Sequence, residues 1–493
     1  MSTFRIGWAE ESIVPAKKAQ LPGQLYERIS EYVESDITVT AMAIEAGEEK
    51  AILISADLVH IGAELFRKVR ERLAKICPDL PSSALIMGAT HTHTSLQYYE
   101  NGVASINMLN EFLPEGKKYT PIVTADPDTL TPAEALELIV EKTVTAAAKA
   151  WTGREEAMMT HAFGRAAVGF CRRAVYDDGS AEMWGDTNSA NFVSLEGGND
   201  SGVELVYTYD RNKKLTGAIV NVACPSQILE HKSFISSDYW GKVKEAVRAA
   251  LGPEIYILAL CGAAGDQCPR DLIRWVHSEE PLKDPHISRP NLIERTADPS
   301  MFDLSGCRLA GRRIANEVIA LAETAGEPCA DIPFVHRSFT LDLPLRKATK
   351  EEYRHAVREI EYYVAKNKDK DVFDFSDRAA VFVHLGVVIR YRLQQRVETV
   401  PAEIHVLRLG DVALATNPFE LFLDYGNRIR ARSKAKQTLL MQLSCGSCGY
   451  LPTEKAERGG HYSAYISSGK VGHEGGDLLV RKTITEINQL FAD

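Results

Sequence analysis

No apolar run in the 493-residue chain approaches the roughly 20 residues that a spanning helix needs, which argues against an integral helical membrane protein. Met1 to Gln20 carries Arg5, Glu10, Glu11, Lys17 and Lys18, so it lacks the unbroken apolar segment of a secretory signal. A cytoplasmic, soluble globular protein is therefore expected. The chain also lacks any block of basic residues: its 57 Lys and Arg are dispersed against 67 Asp and Glu, a net charge of −10. That balance speaks against nucleic acid or an anionic membrane as partner. Nine cysteines, an odd number without the spacing of a small disulfide scaffold, read as reduced thiols. Internal repeats, low-complexity tracts and a recognisable interdomain linker are missing too, so one large domain over residues 1–493 is expected.

What is present is a short apolar run, a loop and an amphipathic helix, repeated at irregular spacing, which is how an α/β protein reads. Ala51 to Asp57 predicts a buried strand, and Leu65, Val69 and Leu73 mark one face of a helix from about Glu64 to Ile76. Further helices are expected at about 131–151, 238–251, 305–323, 350–367 and 419–432. The first of these opens on Thr131-Pro132-Ala133-Glu134, a capped start with proline at its first position. Two stretches with little periodicity, Tyr98 to Leu130 and Pro269 to Ser300, are read as a lid or substrate-selecting wall.

Five strand candidates run straight into loops that carry reactive side chains. Ala84–Ala89 leads to Thr90-His91-Thr92-His93, and Gly217–Ala223 to Cys224-Pro225-Ser226. Ile255–Cys261 leads to the Gly-rich turn Gly262 to Pro269, Val412–Thr416 to Asn417-Pro418-Phe419-Glu420, and Leu439–Leu443 to Ser444–Tyr450. Ligands gather at the carboxyl ends of parallel strands, so these loops are expected to meet at one site. In an extended segment His91 and His93 would point to the same side, able to face one metal or one substrate. Cys445-Gly446-Ser447-Cys448 has metal or redox spacing, but a lone C-x-x-C is weak and is read as two structural thiols. His384, amid apolar residues, is read as a satisfied core histidine, and Asp57 as a loop cap.

Ala89-Thr90-His91-Thr92-His93 resembles the A/G-T-H-T-H segment of the neutral, non-lysosomal ceramidase family, whose catalytic domain is a zinc-dependent amidase. The likeness continues in order along the chain. Phe170-Cys171-Arg172-Arg173 resembles the family's F-N-R segment, and Gly217 to Asp238 its strand, ligand turn and S-x-D stretch. Gly265-Asp266-Gln267-Cys268-Pro269 is similar to its G-D-x-S-P turn, Pro418-Phe419-Glu420 to P-G-E, and Gly449-Tyr450-Leu451-Pro452-Thr453 to Y-x-x-T. The resemblance implies a mixed β-sheet core with flanking helices, here without the family's C-terminal immunoglobulin-like domain. It also implies one zinc per chain, held by His91, the residue at Cys224, Glu420 and Tyr450.

Two positions depart from the family pattern. Counting back fourteen residues from Asp238, the family's second ligand histidine falls on Cys224. Zinc accepts thiolate at bonds about 0.2–0.3 Å longer than to imidazole, so a His-Cys-Glu-Tyr set is one reading. The other makes Cys224 a small buried hydrophobe, with His231 or no residue in its place. Cys268 stands where the family has a serine, as a thiolate nucleophile or an inert thiol. By the same resemblance His93 would donate or accept a proton. Arg172 would bind a carboxylate or an oxyanion, Tyr450 would stabilise the tetrahedral state, and Asp266 would accept a ligand N–H or fix its turn.

The expected activity is zinc-dependent hydrolysis of an amide or ester, lactones included, in a small polar substrate, sugar- or amino-acid-derived, rather than ceramide. Thr94-Ser95-Leu96-Gln97 departs from the family's S-G-P-G, and no amphipathic membrane-docking stretch is evident. The alternatives are a metal-free cysteine hydrolase using Cys268 with His93, a zinc-dependent isomerase or lyase of a sugar acid, and a non-catalytic binding protein.

Overall fold

The longest apolar and small-residue runs, Thr38–Ala46 and Glu49–Ala56, are buried on both faces, which alternating patterns cannot produce and which places them at the middle of a layered structure. The computed structural model describes residues 3–100, 102–120, 128–273 and 303–492. Its largest sheet has eight strands: β1 (Phe4–Ser12), β2 (Thr38–Ala46), β3 (Glu49–Ala56), β4 (Leu85–Ala89), β5 (Glu155–Arg165), β6 (Gly202–Asp210), β7 (Leu215–Val222) and β8 (Tyr256–Cys261). Their order is β8-β7-β6-β5-β1-β2-β3-β4, antiparallel throughout except for the two outermost pairs, β3/β4 and β7/β8. A second sheet holds β9 (Phe334–Pro344), β10 (Thr399–Leu409), β11 (Val412–Thr416) and β12 (Gln437–Met441), with only β11/β12 parallel. The expected mixed α/β architecture is thus present.

The two sheets face each other across an apolar layer in which Ile44, Leu53, Ile86 and Val206 meet Leu407, Leu414, Leu439 and Met441. Helices cover the outer faces. α1 (Ala63–Ile76) and α2 (Pro132–Thr152) pack on β1–β4, with Val69 and Ile139 against Ile52 and Ile54. α3 (Tyr239–Leu251) and α4 (Leu304–Ala322) cover β5–β8, while α5 (Leu423–Arg430) and α6 (His473–Leu490) cover the second sheet. α2 starts where its sequence says: the Thr131 hydroxyl accepts from Glu134 N–H and the Glu134 carboxylate accepts from Thr131 N–H.

The large sheet is pinched at its centre, where β1 and β5 share only the pairs Arg5↔Glu156 and Ile6↔Glu155. Beyond the pinch it curls back, so that the Trp8 ring stacks on Tyr256 at 5.8 Å and the Ser55 hydroxyl donates to the Ala259 carbonyl at 2.5 Å. The curl brings the end of β4 to the ends of β7 and β8, strands that lie at opposite edges by pairing order.

Several expectations are corrected. The helix foreseen at 419–432 begins only at Leu423, because Glu420–Leu421 pairs instead with Tyr450–Leu451 as a short parallel ladder. The aperiodic stretch after Tyr98 contains a helix, Val103–Asn110, that packs with helices Lys350–Lys366 and Phe382–Leu393 around a separate apolar cluster. His384 lies half-buried on that last helix, its ring 5.7 Å from His355, rather than in a core. The stretch Pro269 to Ser300 lies outside the described residues from 274 onward. Among the described residues no helix is long and apolar enough to cross a membrane, and all nine cysteines are free thiols.

Candidate active site

Backbone hydrogen bonds tie the five reactive loops into one cluster. Ser226 N–H donates to Thr90 O and His93 N–H to Ser226 O, joining the loops after β4 and β7. Gly265 N–H donates to Leu421 O at 2.8 Å, joining the turn after β8 to the Glu420 loop. A Cβ at Gly265 would stand 2.3 Å from the Glu420 carbonyl oxygen, so only glycine permits this approach. Glu420 is then held beside Tyr450 by their short parallel ladder.

His91 is the centre of the cluster, and its backbone sits in the left-handed region at φ 68°, an unfavourable conformation typical of functional loops. The segment is therefore not extended, yet its two imidazoles still meet. His91 Nδ1 lies 2.7 Å from the Val59 carbonyl, which can only accept, so this nitrogen carries the proton and Nε2 presents a lone pair. Burial pushes the His91 pKa down and keeps the ring neutral. Its Nε2 stands 3.2 Å from His93 Nε2 and 3.5 Å from Glu420 Oε2.

Arg172 closes the site from the other side. Its guanidinium donates to the Tyr450 hydroxyl at 3.3 Å, to Gly265 O at 3.1 Å and to Gln227 Oε1 at 3.4 Å, while its Nε has no partner. Burial opposes the charge, but Tyr450, Cys268 and Glu420 around it hold the guanidinium above its ordinary pKa. Burial, and then the neighbouring Glu420, pushes the Tyr450 phenol well above its ordinary value, so its hydroxyl is protonated and donates to Tyr462 Oη at 3.4 Å. His91 Nε2, the Glu420 carboxylate and the Tyr450 oxygen are nitrogen and oxygen donors of the kind zinc accepts, and the tautomer of His91 leaves the correct nitrogen free. These three residues fit a metal.

Cys224 is not brought to them. Its sulfur points away, donating to Val168 O at 3.1 Å inside an apolar cluster with Ile228 and Trp240, and burial pushes its thiol well above the ordinary range. Tyr239 fixes this turn by donating to the Cys224 carbonyl at 2.6 Å. The reading as a small buried hydrophobe is the one the packing matches, and His231 does not replace it, being exposed on the turn. Cys268 is likewise buried, donating to Arg270 O at 3.2 Å, and burial raises its thiol to about 12. Asp266 accepts from Leu423 N–H at 2.8 Å and so fixes its turn against the start of α5. Asp57 accepts from Thr38 N–H at 2.9 Å and pairs with Lys244 at 3.3 Å, a structural role.

Among the described residues, four without a local sequence signal adjoin these groups. Glu230 Oε2 lies 3.5 Å from His93 Nδ1, and burial raises this carboxyl to about 7. Gln227 links it to Arg172. Arg28, from the N-terminal loop, donates to the His93 carbonyl at 2.7 Å. Tyr462, 44% exposed, stands at the mouth.

No family model and no curated protein matches the sequence. Among solved structures, the chain resembles neutral ceramidase from Pseudomonas aeruginosa over 100% of its own length and 76% of that chain, with 15% identity and a TM-score of 0.65. It also resembles a ceramidase complexed with C2, over 98% of its length and 74% of that chain, at 13% identity and a TM-score of 0.64. The chain has the neutral ceramidase fold.

Proposed function

We propose that this chain is a zinc-dependent hydrolase of an amide or ester bond, lactones included, in a small polar substrate, with His91, Glu420 and Tyr450 as metal ligands. The observation that carries the reading is the convergence of His91 Nε2, His93 Nε2, Glu420 Oε2 and the Arg172–Tyr450 pair at the ends of four loops. Zinc bound there would polarise the scissile carbonyl and lower the pKa of its water toward about 7. His93, kept neutral by burial, takes up or returns a proton at Nε2. Glu230, with a carboxyl near 7, exchanges a proton with the opposite nitrogen of the same ring. Arg172, which donates to the Tyr450 oxygen and keeps its Nε unpartnered, would offer N–H groups to an oxyanion formed beside the metal.

A polar substrate suits this lining, because Arg172, Gln227 and Glu230 offer it buried hydrogen-bonding groups. A mechanism on the Cys268 thiolate finds little support in a buried thiol raised to about 12. The test is elemental analysis of protein purified without chelator, beside His91→Ala, coupled to turnover of an ester, amide and lactone panel in oxygen-18 water. Near-stoichiometric zinc lost in the variant, with label in the product, is expected. Turnover that survives chelation, or product without label, would sink the reading and favour thiol or isomerase chemistry respectively.

A further inference from the structure

We propose that Glu403, His405 and Cys445 form a second metal site, for zinc or another late first-row divalent ion, apart from the His91 cluster. Glu403 and His405 are two residues apart on β10 and share one face of the strand. Cys445 joins them from the loop after β12, in left-handed backbone at φ 58° and held by its N–H to Met87 O at 2.8 Å. Their ligand atoms all lie within 4.8 Å of one another. Donors at ~2.0–2.3 Å from one zinc stand roughly 3.3–3.8 Å apart, so small side-chain rotations close the site. A carboxylate, an imidazole and a thiol suit zinc, cobalt or nickel and not calcium or magnesium.

Hydrogen-bond accounting points to a cation at this place. His336 Nδ1 lies 3.2 Å from the Lys50 carbonyl, so it carries a proton and its Nε2 accepts. That Nε2 is 3.0 Å from His405 Nδ1, which must therefore be the donor. His405 Nε2 is left with a lone pair aimed at Glu403 Oε1, 2.9 Å away. A lone pair facing a carboxylate needs a positive centre between them, and the adjacent thiol supplies a third donor that a proton would not use. Two of the three ligands are also oriented from behind, as metal ligands are: His405 by His336, and Glu403 by Arg70, whose Nη2 and Nη1 lie 2.5 and 3.2 Å from its oxygens. Cys448, by contrast, packs in the apolar cluster under α5 and α6, so the C-x-x-C does not act as a chelating pair. An ion held here ties β10 to the start of the loop whose far end presents Tyr450.

The site does not depend on the proposed hydrolase chemistry, and the test separates the two. The full chain is stripped of metal, titrated with cobalt(II), and followed by the thiolate-to-cobalt charge-transfer absorption in the near ultraviolet. His91, Glu420 and Tyr450 contain no sulfur, so the band reports the cysteine site alone. It is expected in the wild type, in His91→Ala and in Cys224→Ser. It should be absent in Cys445→Ser and formed at least about 10-fold more weakly in the half-exposed Glu403→Gln. In parallel, zinc is expected to slow alkylation of Cys445 in the wild type, read by peptide mass, which does not require any variant to fold. No band, a band that survives Cys445→Ser or vanishes in Cys224→Ser, or alkylation indifferent to zinc would overturn the site in favour of a plain imidazolium–carboxylate pair.

Discussion

Two adjacent arginines, both buried, are expected to fail in opposite ways when each is changed to methionine. Arg173 pairs side-on with Glu196, Nε to Oε2 at 2.8 Å and Nη2 to Oε1 at 3.0 Å, with the side chains 0% and 5% exposed. It also donates to the carbonyls of Tyr462, Ala456 and Gly460 and to the Ser463 hydroxyl, so Nε, Nη1 and Nη2 all have partners, on Glu196 and on the C-terminal segment. Arg173→Met strands the Glu196 carboxylate in a site that water does not reach, a loss of about 3–5 kcal/mol. Adding Glu196→Gln removes the stranded charge and should recover roughly 1–3 kcal/mol of it. Arg172, one residue earlier, makes only bonds of 3.1–3.4 Å and leaves Nε unpartnered. Arg172→Met should therefore change stability by less than about 1 kcal/mol while lowering kcat by about 100- to 1000-fold. Urea titration by circular dichroism and steady-state kinetics measure both. An Arg173→Met protein within about 1 kcal/mol of wild type, or a Glu196→Gln addition that deepens the loss, would refute the buried-pair argument.

The remaining predictions concern the same cluster. Cys268→Ala should keep most of the activity, and iodoacetamide should inactivate the wild type slowly, since the thiol is buried and raised to about 12; rapid, substrate-protected inactivation would contradict this. Gly23→Ala should lower kcat by about 10- to 100-fold, because the added Cβ would stand 2.3 Å from His93 Nδ1 at a φ of +92°; unchanged kinetics would show that His93 has room to move. Asp266 has a folded pKa raised from 3.8 to about 6 by burial, so the folded state holds the proton more tightly than the unfolded one. Its contribution is therefore greatest below pH ~4 and falls as pH rises to about 6, by at most ~3 kcal/mol. Asp266→Asn, which can still accept from Leu423 N–H, should flatten that part of the stability profile measured by urea titration at several pH values.

Much of the framework was legible along the chain because it is encoded locally. The capping box at Thr131 and Glu134 set the start of α2, the four-residue spacing of Leu65, Val69 and Leu73 set α1, and each expected strand before a reactive loop is present. Where a long-range partner competed, local reading failed: Glu420 and Leu421 look like a helix start, but their backbone pairs with Tyr450 and Leu451, thirty residues later in the chain. Glu230, Gln227 and Arg28 carry no motif, since what makes them part of the site is where the turn before Asp238 and the N-terminal loop come to rest.

The sequence by itself determined the fold class, the strand-and-loop positions of His91, Glu420 and Tyr450, and the presence of cysteines at two unusual positions. Those properties follow from periodicity, turn chemistry and residue type. Only the tertiary structure decided which side chains face one another. The curl of the large sheet brings its two edges together, packing against Trp240 and Ile228 turns Cys224 inward, and hydrogen bonds to Val59 and to His336 choose the nitrogens that His91 and His405 present. Side-chain direction depends on what lies across the fold, and adjacency in the chain does not carry that information.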